Sequence, residues 1–197
     1  MSCYESIPNV RESVNPGIQK SGYVRSAFSF LEGASLPEDL IATCVAHQMP
    51  AMALLDRDGL YGSPRFHLTA EKAGIQAHIG AEITTEFPLT NCQLPIRKTG
   101  ASELSIGNRQ LTIVNFPRIP LLVHTRAGYQ NLCRLITKMK LRAKKGEGSV
   151  RDEELKEHAS GLICLTGGDE GPLAAALARG GLEEARRSVE HLMQIFG

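Results

Sequence analysis

Three acidic residues, Asp56, Asp58 and Glu82, stand where two short apolar runs end. The run at 51–55 stops at Asp56-Arg57-Asp58-Gly59, and after a helix-like segment a second run stops at Gly80-Ala81-Glu82. The order is strand, acidic loop, helix, strand, acidic end. In α/β folds the carboxyl ends of the strands face the site, so these carboxylates are expected to converge. Clustered carboxylates at strand ends are how oxygen-liganded metal sites are built. Asp58 with Gly59 reads equally as a turn leading into a helix. His124 ends the apolar run 121–124 and is a candidate site-lining residue by the same positional argument.

Other groups have plainer readings. His67 falls within a helix pattern and reads as a half-buried packing residue. Thr166-Gly167-Gly168-Asp169 separates a strand from a helix but carries neither a P-loop nor a dinucleotide signature. Asp169 reads there as a helix cap. Arg134, Lys138, Lys140, Arg142, Lys144 and Lys145 gather towards a helix end, where basic side chains complement the dipole. A solvated face is the simpler reading of that run, and contact with DNA the sharper one.

The elements that must position the acids follow from periodicity and punctuation. A short strand is expected at 23–26. Ser35-Leu36-Pro37-Glu38 has the form of a capping box, Ser at the N-cap and Glu three later, opening a helix to about His47. Its apolar face is Leu40, Ile41, Cys44 and Val45. A second helix at 60–73 is stopped by Gly74. A strand at 119–123 precedes a strongly amphipathic helix at 129–141. Helix 153–158, strand 161–165 and helices 172–179 and 182–196 complete the order. Alternating strands and helices imply a mostly parallel sheet or barrel. Residues 1–20 read as a flexible extension. Residues 84–118 read as an irregular insert, punctuated by Pro88, Pro95, Pro117, Gly100 and Gly107.

Composition bounds the function classes. A chain of 197 residues with 42% apolar content can bury one domain core. A net charge of +1 gives no strong basic field for holding nucleic acid by charge alone. No apolar run reaches the roughly 18 residues of a membrane span, and the first residues lack a basic-then-apolar signal pattern. The 5 cysteines are scattered without a CxxC, which reads as reduced cytoplasmic thiols.

Three blocks in order carry a family resemblance. RSAFSFLEGASLPEDLIATCVAHQMPAMALLDRDGLYGSPRFH begins at Arg25, IPLLVHTRAGYQNLCRLITKMKLRAKKGEG at Ile119, and HASGLICLTGGDEGPLAAALARGG at His158. Together they resemble the polymerase-and-histidinol-phosphatase (PHP) domain at the N-terminus of bacterial DNA polymerase III α subunits, the error-prone type above all. The resemblance implies a distorted (β/α)7 barrel, here incomplete, over 21–197. It also implies a metal cluster at the strand ends, held by His, Asp, Glu and Cys.

The resembled ligand pattern is broken. Where the family's first strand carries His-x-His, this chain has Arg25 at the place of the second histidine. Where the family has Thr-Asp-His, this chain reads Leu55-Asp56-Arg57. Glu32 stands at a position that often holds a ligating Asp, and Glu82 matches the ligand of Gly-x-Glu. The surviving metal set is therefore Glu32, Asp56 or Asp58, and Glu82, read as a remnant without a resident ion. Arg25 and Arg57 are expected to replace the metals by holding Asp56 and Glu82 in charge-assisted bonds, with Glu82 or Glu32 as the partner of Arg57, because a guanidinium stays protonated and cannot ligate. No cofactor is expected; a residual divalent ion, Mg, Mn or Zn, is the alternative.

The functional expectation has three branches. The first is a non-catalytic scaffold: the PHP portion of an error-prone DNA polymerase III α-like polymerase, serving replication and damage-tolerant synthesis. Its partners would be the remainder of the polymerase subunit, DNA and damage-tolerance accessory proteins. The second is a metal-dependent phosphoesterase or 3′–5′ exonuclease using the remaining carboxylates. The third is a free-standing polymerase-interaction module. The resemblance places the last barrel strands and the polymerase palm beyond Gly197, so the chain reads as a fragment with an open sheet edge.

Overall fold

The computed structural model describes residues 23–86, 117–144 and 148–197. The extension expected at 1–20 and most of the expected insert, 87–116, lie outside the described residues.

Helix α1, Pro37–Ala46, leads into strand β1, Ala51–Arg57. Helix α2, Ser63–Ala73, and strand β2, Gln76–Thr84, follow. Strand β3, Arg118–Val123, precedes helix α3, Arg126–Arg142, and helix α4, Asp152–His158. Strand β4, Leu162–Cys164, and helix α5, Pro172–Phe196, close the order. Helix α5 breaks at Gly181, whose φ of 67° and ψ of −154° are not helical, which recovers the two expected helices.

Local signals explain most boundaries. Gly74 ends α2 in the left-handed region at φ 71°, where a Cβ is unfavourable. Thr125 caps α3, its hydroxyl accepting from the Gly128 amide at 3.1 Å. The capping box at α1 is displaced by one residue. Leu36, not Ser35, is the N-cap, and its amide donates to Asp39, not Glu38, at 3.3 Å. Pro37 at the first helical position fixes that register. The strand expected at 23–26 is reduced to a single parallel bridge, Val24 with Leu54.

The four strands form one sheet in the order β1-β2-β3-β4. It is an α/β fold with a mixed sheet, which corrects the expectation of mostly parallel strands. Strands β1 and β2 are parallel; β3 runs antiparallel to β2, and β4 antiparallel to β3. The β2–β3 pairing is tight at Gly80, where a Cβ would lie 2.2 Å from the Leu121 carbonyl oxygen. Two apolar clusters support the sheet. One joins Ile41, Cys44, Leu54, Phe66 and Ala70 from α1, β1 and α2. The other joins Ile83, Ile119, Leu121, Leu132, Leu135 and Leu155, among others, from β2, β3, α3 and α4. Among the described residues no helix is long and apolar enough to cross a membrane.

The direction of β3 decides what reaches the carboxyl ends of β1 and β2. The register pairs Arg57 with Glu82, Glu82 with Pro120, and Thr84 with Arg118. The amino end of β3 therefore lies beside Glu82. His124 follows the opposite end of β3, six residues from Arg118, roughly 20 Å along the strand.

Candidate functional site

The turn 29–33 brings the first carboxylate. Amides of Glu32 and Gly33 both donate to the Ser29 carbonyl at 2.9 Å, which folds Glu32 back over the strand ends. Strand β2 supplies Glu82, whose residue is 2% exposed. The loop between β4 and α5 supplies Glu170, held there by a backbone bond from the Arg118 amide to the Glu170 carbonyl at 2.9 Å. One carboxylate oxygen from each of Glu32, Glu82 and Glu170 lies within 4.8 Å of the others, close enough to hold one cation.

Three guanidinium groups meet these carboxylates. Arg25 donates through Nε to Glu82 Oε2 at 2.7 Å. Its Nη1 lies 3.3 Å from Glu32 and its Nη2 3.1 Å from Glu170. Arg118 donates through Nη1 to Glu32 at 2.7 Å and to Glu170 at 3.1 Å. Arg57 donates through Nη1 to Glu32 at 2.8 Å. Three formal negative charges thus meet three positive ones.

The protonation states follow. Burial works against the Arg25 charge, but the bond and charge of Glu82, then the charges of Glu32 and Glu170, outweigh it and raise its pKa. Burial alone would push Glu32 up. The bond and charge of Arg118, then the charges of Arg57 and Arg25, hold it below the usual carboxylate range. Tyr23 bonds to Glu82, and burial followed by that bond and charge pushes its hydroxyl far above its ordinary pKa.

Asp56 and Asp58 do not join this group. Asp56 is buried and accepts from the Ser26 amide at 2.8 Å, the Ser26 hydroxyl at 2.8 and 2.9 Å, and the Ser29 hydroxyl at 2.8 Å. Period-2 alternation explains the separation: Asp56 is in register with Ala81, so Arg57 and not Asp56 shares a face with Glu82. Asp58 accepts from the Thr84 amide and hydroxyl, both at 2.8 Å, with Arg57 Nε 3.6 Å away. Both aspartates act as local braces for the loops that shape the site.

Of the residues singled out from sequence, Glu32, Glu82, Arg25 and Arg57 come together. His124 does not; it is exposed beyond the far end of β3, its amide donating to the Gly161 carbonyl at 3.0 Å. Arg118 and Glu170 were not foreseen. Asp169 does not cap α5, whose N-cap is Gly171 without a side-chain bond. His67 is exposed rather than half-buried. In the basic run, Lys138 pairs with Glu157 at 2.6 Å, and Arg142 with Glu154 and the Ser149 carbonyl; Lys145 lies outside the described residues.

The donor set tests the metal that the resemblance implies. Three carboxylates suit a hard divalent ion by type and spacing. The charge does not suit it, because Arg25 already contacts all three. Among the described residues no buried side-chain nitrogen or oxygen lacks a hydrogen-bond partner, so no orphaned atom awaits an ion.

Residues 22–197 match the family profile of the PHP domain. The DNA polymerase III subunit alpha of Vibrio cholerae is 34% identical over 174 residues, 88% of this chain and 13% of the relative. That of Caulobacter vibrioides is 31% identical over 175 residues, 88% of this chain and 14% of the relative. The error-prone DNA polymerase of Symbiobacterium thermophilum is 35% identical over 190 residues, 88% of this chain and 15% of the relative. The chain thus spans only about a seventh of the length of these polymerases, and on the match over 22–197 it belongs to the PHP domain family.

Proposed function

We propose that this chain serves as the PHP portion of a DNA-directed DNA polymerase of the DNA polymerase III α or error-prone type, as a structural scaffold and not as a hydrolytic centre. The observation that carries the reading is the pairing of every carboxylate of the cluster with arginine. Hydrolysis of a phosphoester by a metal centre needs a metal-activated water and open coordination positions. Here the cations are guanidinium groups, which neither ligate nor lower the pKa of a water. What the cluster does instead is mechanical. It joins the segment at Arg25, the turn at Glu32, the ends of β1, β2 and β3, and the loop at Glu170.

On this reading the partner is the rest of a polymerase subunit, with DNA and damage-tolerance accessory proteins reached through it in the cytoplasm. A distorted (β/α)7 barrel belongs to the same reading.

Two measurements test it. Purified chain supplied with Mn2+ or Zn2+ should release no phosphate from phosphomonoesters and degrade no 3′ end of DNA. Tagged chain expressed in its own host should bring down a palm-bearing polypeptide. Metal-dependent turnover that Glu82→Gln abolishes would instead establish the phosphoesterase or exonuclease reading. Turnover-free chain that captures no polymerase polypeptide would remove the polymerase scaffold.

A further inference from the structure

We infer that the Arg25 guanidinium, closed in by Arg118, is the resident cation of the carboxylate group, and that Glu32, Glu82 and Glu170 take no divalent metal. The inference deepens the scaffold reading and rests on it only for where the family's metal centre lies.

Geometry identifies Arg25 as the occupant. Among the described residues it is the one paired with all three carboxylates, at 3.3, 2.7 and 3.1 Å. A divalent ion bound to the three oxygens would need the same space. Arg118 then covers two of the three, Glu32 and Glu170, and Arg57 takes the other oxygen of Glu32. An incoming ion would therefore meet balanced charge, not the excess negative charge that draws a hard cation.

Displacement is also unfavourable on the arginine side. Arg25 cannot leave as a neutral group, because guanidinium stays protonated. Expelled, it would give up its three partners while half-buried, with 23% of its side chain exposed. Glu82 cannot follow it outward, being on β2 and 2% exposed. The Arg25–Glu82 and Arg118–Glu32 bonds are each at 2.7 Å, in the range of charge-assisted hydrogen bonds. Guanidinium is planar and forked, so a single residue can serve several carboxylates, which an ammonium cannot do in the same plane. Arg118 is the less obvious half of the device. It comes from a strand whose antiparallel direction delivers its first residue, rather than its last, to the cluster.

The test uses the full chain. After incubation with Mn2+ or Zn2+ and desalting, elemental analysis should find far less than one ion per chain. The melting temperature should be the same with added metal and with EDTA. Arg25→Ala should melt several degrees lower than wild type, and Arg25→Lys should recover only part of the loss. A stoichiometric ion in wild type that disappears in Glu170→Gln, or a fall in melting temperature on adding EDTA that Glu170→Gln abolishes, would overturn the inference. Glu170 is chosen because its side chain is 56% exposed, which makes it the least buried of the three acids to replace. An ion kept equally by Glu170→Gln and Glu32→Gln lies elsewhere and leaves the cluster metal-free, as inferred. Should Arg25→Ala fail to fold, the ion count and the EDTA arm on wild type and Glu170→Gln still decide. Failure to capture a polymerase polypeptide would remove the scaffold reading without changing the ion count.

Discussion

Arg118 donates to Glu32 at 2.7 Å across 86 residues of chain. The bond joins the first residue of β3 to the turn at 29–33, two segments with no sequence neighbourhood. Both partners are shielded, with side chains 13% and 19% exposed. Glu32 receives Arg57 and Arg25 as well, so it is the acid on which all three arginines converge.

That convergence sets an acid limit on stability. The folded-state pKa of Glu32 is depressed from its ordinary value near 4.5, despite burial, by Arg118 first and then by Arg57 and Arg25. A depressed carboxyl binds its proton less readily in the folded than in the unfolded chain. Its stabilisation is fully present above the unfolded value and disappears as pH falls through the folded one. Urea midpoints should therefore hold steady from pH 7 to about 5 and fall below about 4.5. In Glu32→Gln the acid slope should be shallower. An unchanged slope would mean that other carboxyls govern the acid limb.

Asp56 should matter more to stability than either acid at the exposed rim. It accepts from three donors, the Ser26 amide and the hydroxyls of Ser26 and Ser29, while 2% exposed. Asp56→Ala leaves the Ser26 amide and two hydroxyls buried without acceptors. The expected loss is about 3 kcal/mol by chemical denaturation. A loss under about 1 kcal/mol would mean that water takes over these donors.

Arg57 should behave differently although it touches the same cluster. Its side chain is 41% exposed, and its bond to Glu32 is backed by Arg118 from the other side. Arg57→Ala should destabilise by less than about 1 kcal/mol, and high salt should shrink the difference further. A double-mutant cycle with Glu32→Gln measures the pair directly.

What the sequence discloses here follows the range of the interaction. The strand–helix–strand unit 51–84 was legible because apolar runs, Asp56-Arg57-Asp58-Gly59 and Gly74 mark its ends locally. The meeting of Arg25 with Glu82 and of Arg57 with Glu32 was legible only through the family resemblance, since composition and spacing do not place a residue 57 positions away. Strand direction was not legible. The path from β2 to β3 runs through 85–117, which has no periodicity, and an antiparallel return exchanges Arg118 for His124 at the site. Glu170 was hidden for a related reason: its place depends on the Arg118 amide, which holds its carbonyl at 2.9 Å. The place of Asp56 is not legible either, because a strand-end carboxylate can face a site or brace a turn, and its bonds to Ser26 and Ser29 are set by a segment about 30 residues away.

The turn that delivers Glu32 makes the last prediction, because its two flanking residues oppose each other. Leu31 sits at φ 64°, the left-handed region, with 89% of its surface exposed. An L-residue there is strained by roughly 1–2 kcal/mol, and no burial of the leucine side chain offsets it. Gly33 is the reverse case. A Cβ at position 33 would lie 2.0 Å from the Ser26 carbonyl oxygen, which is backbone and cannot swing aside. Leu31→Gly relieves the strain but adds freedom to the unfolded chain, so a net gain of about 0.5–1 kcal/mol is expected. Gly33→Ala should lose more than about 2 kcal/mol, because turn 29–33 must open, moving Glu32 from Arg118 and Ser29 from Asp56. Opposite signs at two positions two residues apart are the signature to look for in paired urea curves. Should Gly33→Ala melt like wild type, the turn would not be what fixes Glu32, and the ion pairs themselves would have to hold it.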